Sequence, residues 1–279
     1  EKDKYDLISP TGSKPGILYG LAKVHKPAVD NCPSFRPILS AIGTSTYSLA
    51  KFLVPILKPL TVNEFTVQDS FSFAKEVTSF DSQCIMASLD VESLFTNIPL
   101  VETIENCIND IFKNSSKISN FDQFQLKELL SFAAHESFFI FDNEYYRQKD
   151  GVAMGSPLGP TLANAFLCHY EKQWLSSCPQ NCLPNVYRRY VDDIFVTFNS
   201  TEQLKNFVDY MNSKHASIKF TYEIEKQNEF SFLDIKISRE NKKFTTSLHR
   251  KPTFSGVFTN FDSFVPEIYK NRLVNTLLF

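Results

Sequence analysis

Two apolar runs, Val186 to Val191 and Ile194 to Phe198, are separated only by the acidic doublet Asp192-Asp193. Each run has the length of a strand, and the doublet leaves room only for a tight bend. The segment therefore reads as a β-hairpin with carboxylates at its tip. Successive side chains on a strand point to opposite faces, so adjacent carboxylates can approach one point only where the pleat breaks. A bland explanation stands beside this one, because Asp favours turns and two of them can simply be solvated there.

The flanking sequence narrows the choice. Cys84 to Val91 reads as a buried strand ending near Asp90. Pro99 opens a helix with Glu102 in its first turns and an apolar stripe at Val101, Ile104, Ile108 and Ile111. A second helix, over about 122–136, leads into Phe138-Phe139-Ile140-Phe141, a turn at Asp142-Asn143-Glu144, and Tyr145-Tyr146-Arg147, which is a hairpin pattern. Pro160 starts a helix running to about Leu175, with Leu162, Ala163, Phe166, Leu167, Tyr170 and Trp174 on its apolar face. Ser200 and Gln203 have capping-box spacing ahead of Leu204, Phe207, Val208 and Met211, and Ile218 to Ile224 alternates as a strand. Phe232 to Ile237 and Phe244 to Leu248 continue as strands. Residues 1 to about 60 carry Pro10, Pro15, Pro27, Pro33, Pro37, Pro55 and Pro59, which predicts short strands and loops without long helices.

From residue 84 to 224 the order is strand, helices, strand, strand, helix, strand. That is the split βαβ or ferredoxin-like arrangement of an α+β fold, an antiparallel sheet with helices on one face and an insertion before the second helix. In such a sheet the first strand neighbours the hairpin, which would bring Asp90 beside Asp192 and Asp193.

Composition sets limits. The 279 residues are 43% hydrophobic, enough for a sizeable core and against disorder. No apolar stretch approaches the roughly 20 residues of a membrane span. The start, Glu1-Lys2-Asp3-Lys4, lacks the apolar core of a signal peptide, so the expectation is a soluble intracellular chain or a piece of one. A net charge of -2 advertises no polyanionic partner, so local charge must decide. From Lys236 to Lys251 the charge is strongly positive, with Phe244, His249 and then Phe254 interleaved, a pattern suited to tracking a nucleic-acid backbone; a solvated strand edge guarded by lysines is the alternative. The six cysteines are too sparse for a disulfide scaffold, and Cys178 and Cys182, with Cys168 and His169 upstream, do not have the spacing of the common zinc ribbons. Of only 8 glycines, Gly151, Gly155 and Gly159 fall four residues apart, which calls for a backbone reason.

Three carboxylates sharing one pocket would repel one another, and a divalent cation bound by hard oxygen ligands is the usual remedy. No His or Cys stands beside these aspartates in sequence, which favours Mg²⁺, or Mn²⁺, over zinc. Two such ions about 3.5–4 Å apart can activate a hydroxyl and stabilise a leaving oxygen in an in-line phosphoryl displacement. Nucleotidyl transfer is the natural reaction.

In this order the segments resemble the motifs of reverse transcriptases. Tyr190-Val191-Asp192-Asp193 resembles motif C, Ser88-Leu89-Asp90-Val91-Glu92-Ser93-Leu94-Phe95 motif A, and Met154-Gly155-Ser156-Pro157-Leu158-Gly159-Pro160 motif B. Leu94-Phe95-Thr96-Asn97-Ile98-Pro99, Gly151-x-x-Met154-Gly155-Ser156-Pro157, Phe232-Leu233-Asp234 and Arg250-Lys251-Pro252-Thr253 are similar to the reverse transcriptases of Penelope-like elements. Gly20-Leu21-Ala22-Lys23-Val24-His25-Lys26-Pro27 and Arg36-Pro37-Ile38 extend the likeness, which runs from about residue 15 to the end.

The resemblance implies a right-hand polymerase with fingers and palm. It makes Asp90 and Asp192 the principal metal ligands, with Asp193 a third and the Val91 carbonyl a fourth. Phe95 matches the aromatic gate against a ribose 2′-hydroxyl, where many relatives have Tyr. Met154, Gly155 and Ser156 match the turn where the backbone approaches the nucleotide; Met154 replaces a Gln common elsewhere and implies an apolar contact. Arg36 matches a triphosphate-gripping arginine, for which a guanidinium is well shaped. Lys23 is the better of two lysine candidates, Lys26 being the other. Tyr190, Arg250 and Lys251 would meet primer and template. Lys219 and Lys226 both qualify as the proton donor to pyrophosphate.

The implied domains are fingers at 1–83 and 114–150, palm at 84–113 and 151–235, and primer-side strands with the start of a truncated thumb at 236–279. The implied partners are an RNA template, a DNA primer and dNTPs, with no membrane, and a GIY-YIG endonuclease in the full-length chain; the implied location is nuclear. A telomerase-like or intron-type reverse transcriptase, and an inactive or domesticated scaffold that binds nucleic acid, remain the alternatives.

Overall fold

The computed structural model describes residues 8–10, 13–23, 32–113, 121–251, 256 and 258–278. In chain order its elements are β1 (Gly16–Ala22), β2 (Phe35–Ser40), α1 (Tyr47–Leu57), α2 (Ser70–Val77), β3 (Ile85–Val91), α3 (Leu94–Asn97), α4 (Leu100–Lys113) and α5 (Gln123–His135). Then follow β4 (Phe138–Phe141), β5 (Glu144–Arg147), α6 (Leu158–Ser176), β6 (Val186–Tyr190), β7 (Asp193–Phe198), α7 (Thr201–Lys214), β8 (Phe220–Ile224), β9 (Glu229–Phe232), β10 (Ile235–Glu240), β11 (Lys243–Leu248) and α8 (Glu267–Leu278). The described residues divide into two compact units, one within Glu1–Ala22 and Phe35–His249, the other within Lys23–Ser34 and Arg250–Phe279.

The central sheet of the first unit has the order β6-β7-β3-β8, with every neighbouring pair antiparallel. This is the ferredoxin-like arrangement expected from the element order. Burial follows the two-residue period. Ala87, Leu89 and Val91 of β3 and Ile194, Val196 and Phe198 of β7 join the larger core, which also takes in α4, α6 and α7 through Ile104, Phe166 and Phe207. Met86 and Phe195 point the other way into a smaller aromatic core with Phe73 of α2 and Phe230, Phe232, Ile237 and Phe244 of the β11-β10-β9 sheet.

Local signals set several boundaries. Asp122 caps α5 by accepting from the Gln125 amide at 2.8 Å, and Gln125 reaches back to the Asp122 amide, completing a capping box. Ser200 caps α7 by accepting from the Gln203 amide. Asp142 and Asn143 both have left-handed φ, so the β4–β5 hairpin turns in two residues, one fewer than expected. A third sheet, β2-β1-β4-β5, joins the N-terminal strands to this hairpin.

Further expectations change. Val101, read as part of the apolar stripe of α4, is 61% exposed, and Leu100 and Cys107 are buried with Ile104, Ile108 and Ile111 instead. The proline-rich N-terminal region contains an eleven-residue helix, α1, with Pro55 inside it. Burial of Leu49, Ala50, Leu53 and Leu57 on one stripe outweighs the hydrogen bond that the proline removes. Helix α6 begins at Leu158, two residues before Pro160. The run Phe232 to Ile237 is two strands, β9 and β10, folded back at Leu233, whose φ is +56°. Phe244 is a core side chain at 2% exposure, so it cannot serve as a surface ring. Phe254 lies outside the described residues, as do Lys26 and residues 114–120.

In the second unit, the Lys23 amide donates to the Ser34 carbonyl at 2.8 Å, and the Lys270 ammonium sits 5.2 Å from the centre of the Phe261 ring. No described helix is long and apolar enough to cross a membrane.

Phe195 touches Phe73, Phe80, Phe230 and Phe232 with ring centroids 5.2 to 6.3 Å apart. Phe195→Ala is expected to cost about 3–5 kcal/mol of unfolding free energy, read from urea denaturation.

Candidate active site at the strand–turn junction

Strand register brings the aspartates to one end of the sheet. Asp90, near the C-terminal end of β3, is the direct antiparallel partner of Asp193, the first residue of β7. Directly opposed residues share a face and lie about 4.5–5.5 Å apart at Cα. Asp192 sits in the turn before them, and its carbonyl accepts from the Val91 amide at 3.4 Å. Both Asp90 and Asp193 are exposed, whereas the residues that follow in β7 are buried. The three acids thus lie at one end of one sheet, on and beside the β3–β7 seam. Among the described residues no three acidic, His or Cys side chains are drawn tightly enough to cage a metal ion. The donors at the seam are hard carboxylate oxygens, which suit Mg²⁺ or Mn²⁺ rather than zinc.

The turn is strained. Val191 has φ +56°, a left-handed conformation that a β-branched residue rarely adopts. Such strain persists only where the surroundings over-determine it, and here they do. Arg189, two residues earlier and wholly buried, donates from Nη1 to the Val191 carbonyl at 3.1 Å and to Asn164 Oδ1 at 2.8 Å. Its Nε and Nη2 grip the two oxygens of Glu171 at 2.7 and 3.1 Å, and Nη2 also reaches Cys168 Sγ at 3.2 Å. Glu171 is itself 2% exposed and accepts from Asn63 Nδ2 at 2.8 Å. Burial alone would lower the Arg189 pKa, but the Glu171 carboxylate outweighs it and holds the guanidinium above its ordinary value. Burial, with Glu171 adding to it, pushes the neighbouring Tyr187 phenol well above its usual range. Sequence reading passed over Arg189 and Glu171. A charged residue inside the apolar run 186–191 was the available clue, since an arginine is almost never fully buried unless paired.

The glycine cluster has the backbone reason that its spacing suggested. A Cβ on Gly151 would stand 2.6 Å from the Thr96 carbonyl oxygen and 2.8 Å from that of Phe95. One on Gly155 would stand 2.3 Å from the Leu39 carbonyl oxygen, and one on Gly159 2.9 Å from that of Ala153. The glycines let the 151–159 loop lie against α3 on one side and β2 on the other. Val152 donates to the Phe95 carbonyl at 2.7 Å, and Leu39 donates to the Met154 carbonyl at 2.8 Å. Phe95 is half-buried with its ring edge beside Gly159. Ser156 closes the loop, its amide donating to Ala153 and its carbonyl accepting from Gly159.

The remaining candidates fall in three places. Tyr190 is 40% exposed and pairs with Asp193 across the hairpin. Arg36 is exposed on β2, opposite Leu21 of β1 and three residues before Leu39. Lys23, Arg250 and Lys251 belong to the second unit, where Arg250 and Lys251 are exposed. Two cations of the basic stretch are engaged internally, Lys236 with Glu229 at 2.7 Å and Arg239 with Glu225 at 2.8 Å. Cys168 faces Arg189 and His169 bonds Asp110 at 2.6 Å, so neither turns toward the Cys178–Cys182 pair.

The family model of reverse transcriptase (RNA-dependent DNA polymerase) matches residues 24–253. The chain belongs to the reverse transcriptase family. No curated protein matches it. Solved structures share the fold of this reverse transcriptase chain. Telomerase from Candida albicans, in complex with a TWJ fragment of telomeric RNA, superposes with a TM-score of 0.61 at 13% identity, over 95% of this chain and 50% of that one. Apo telomerase from Candida tropicalis, truncated from the C-terminal domain, gives 0.56 at 14% identity over 88% and 58%. The Sicinivirus 3Dpol RNA-dependent RNA polymerase gives 0.52 at 13% identity over 90% and 56%. The chain thus spans between 50% and 58% of the length of these structures.

Gly155 has φ +121° and faces backbone, whereas Gly43, with φ +81°, faces the flexible end of Lys14. Gly155→Ala is expected to lower the unfolding free energy by more than about 2 kcal/mol, and Gly43→Ala by only about 1–2 kcal/mol, in parallel urea titrations.

Proposed function

We propose that this chain carries the polymerising centre of a Penelope-like retroelement reverse transcriptase, joining dNTPs to a DNA primer 3′-hydroxyl on an RNA template. The observation that carries the proposal is the in-register meeting of Asp90 and Asp193 with Asp192 in the adjoining turn. The Penelope-like assignment, ahead of a telomerase-like or intron-type one, rests on Leu94 to Pro99, the Gly151 to Pro157 block, Phe232-Leu233-Asp234 and Arg250 to Thr253.

In this reading residues 1–83 and 114–150 are fingers and residues 84–113 and 151–235 are palm. Support comes from the sheets: β1, β2, β4 and β5 draw one sheet from the two finger segments, and β3, β6, β7 and β8 draw another from the two palm segments. Residues 236–279 supply the primer-side strands and the beginning of a thumb, with an endonuclease domain elsewhere in the full-length protein. Work on chromosomal DNA in the nucleus goes with that assignment.

Asp90, Asp192 and Asp193, with the Val91 carbonyl, would hold Mg²⁺. When bound, the cations supply Lewis acidity toward the primer hydroxyl and the triphosphate. The chain's own groups do the rest. Phe95, held by the Val152 amide and Gly159, presents a wall to the sugar. The loop at Met154, Gly155 and Ser156 brings backbone close to the nucleotide, Arg36 binds the triphosphate, and Tyr190 meets primer and template; the roles of Lys23 at the triphosphate and of Arg250 and Lys251 at primer and template rest on the sequence resemblance alone. Of the two lysines considered as proton donor, Lys219 is favoured. Its backbone lies beside the carboxylate end of β3, where its carbonyl accepts from the Glu92 amide at 2.8 Å, and its ammonium, which donates to the Asn212 carbonyl at 2.9 Å, would have to leave that partner to act; the Glu225 amide, next to Lys226, donates to the Met86 carbonyl. The six residue steps from 219 to 225 span about 20 Å of extended chain, which puts Lys226 toward the opposite end.

Primer extension on an RNA template with Mg²⁺ tests the reading. Incorporation is expected from the parent and loss of about 10³-fold or more from Asp192→Asn; equal rates for both would reject the assignment. Phe95→Ala is expected to raise the ratio of ribonucleotide to deoxyribonucleotide incorporation, with unchanged sugar selectivity counting against the gate. Lys219→Met should lower the rate by about 10²-fold while Lys226→Met changes it less than about threefold; the reverse order would exchange their roles.

A further inference from the structure

Arg189 does more than pair with Glu171. A guanidinium has five N–H groups in a rigid fork, and all five have acceptors here: two on Glu171, one each on Asn164, Cys168 and the Val191 carbonyl. Its backbone is tied as well, the amide donating to the Phe65 carbonyl and the carbonyl accepting from the Val67 amide, both at 2.8 Å. The side chain therefore spans from α6 to the peptide that immediately precedes Asp192. That peptide belongs to the left-handed Val191. An apolar pair of similar volume is often as stable as a buried ion pair or more so, so stability is a weak reason for this one. Geometry is the stronger reason.

We propose that Arg189, oriented by Glu171, is a positioning residue: it clamps the Val191 carbonyl and thereby holds Asp192 and Asp193 in the turn that sets Asp193 opposite Asp90. This rests on the polymerase reading, since the carboxylates it positions are those assigned to the metal ions.

The test separates clamping from folding. In Arg189→Met/Glu171→Leu the buried pair is replaced by apolar side chains, and in Arg189→Lys the charge is kept without the fork. Thermal melts followed by circular dichroism report folding. Titration with Mn²⁺ alone, followed by electron paramagnetic resonance, reports the site without turnover. Primer extension gives kcat and KM for dNTP. Both variants are expected to bind Mn²⁺ at least about tenfold more weakly than the parent, and the folded double variant to lose kcat by about tenfold or more with KM changed less than about twofold. Val191→Asn, which tolerates the left-handed conformation, is expected to recover at least about threefold of the Mn²⁺ affinity when added to either variant.

Parent-like Mn²⁺ affinity in a folded variant would overturn the clamp, as would a loss that Val191→Asn leaves untouched, which marks a purely structural pair. If Arg189→Lys fails to fold, the double variant decides by the same criteria, and failure of both to fold also counts against the proposal, because the pair would then be needed for the core itself. A parent that binds Mn²⁺ through Asp192 yet extends no primer would sink the polymerase reading and leave the clamp standing. A parent whose Mn²⁺ binding is unaffected by Asp192→Asn would overturn the clamp.

Discussion

The register between β3 and β7 governs the site. Leu89 and Val91 face the larger core at 0% and 1% exposure, as do Ile194 and Val196, both at 0%. A slip of one residue would turn all of them onto the opposite face, exchanging them with the set that carries Asp90 and Asp193. Apolar burial therefore enforces a polar outcome. The energy that fixes the strands lies in side chains that take no part in the chemistry, and it brings like charges together at the sheet end where they would otherwise separate.

Past the end of β3, main chain packs directly on main chain. Gly151, Gly155 and Gly159 let one loop press against the Phe95-Thr96 carbonyls, the Leu39 carbonyl and the Ala153 carbonyl. The two hydrogen bonds from Val152 to Phe95 and from Leu39 to Met154 then lock three distant segments into one rim. Side chains at the glycine positions would force these segments apart, so a chain that uses few glycines concentrates them where main chains must touch. Phe95 inherits its place from this packing, which suits the steric gate proposed for it: a wall excludes only if it cannot retreat.

The buried Arg189–Glu171 pair links the turn at Val191 to α6. Its five donors are met by groups from α6 and from the turn itself, and Glu171 also accepts from Asn63. In a low-dielectric interior each of these bonds is strong, and each would be costly to leave unmade. Such a network tolerates few geometries, which is the property a strained turn beside a cluster of acids requires.

Much of this was legible along the chain. The acidic break between two apolar runs, the 3.6-residue stripe of Ile104, Ile108 and Ile111, the capping residues Asp122 and Ser200, and the glycine spacing are all written within a few residues of where they act. Local pattern was enough for them because strand and helix periods and turn chemistry depend on near neighbours. The same reading missed α1, where burial of Leu49, Ala50, Leu53 and Leu57 overrides Pro55, and it placed Phe244 at the surface when the second core buries it. It also ran β9 and β10 together, because the left-handed Leu233 carries no glycine or asparagine to mark the bend. Residue order alone thus determined the ferredoxin-like topology and the candidate carboxylates. Which acid faces Asp90, what the glycines touch and what Arg189 holds were decided by tertiary packing, because those partners lie many residues apart and only the closed core brings their backbones within hydrogen-bonding distance.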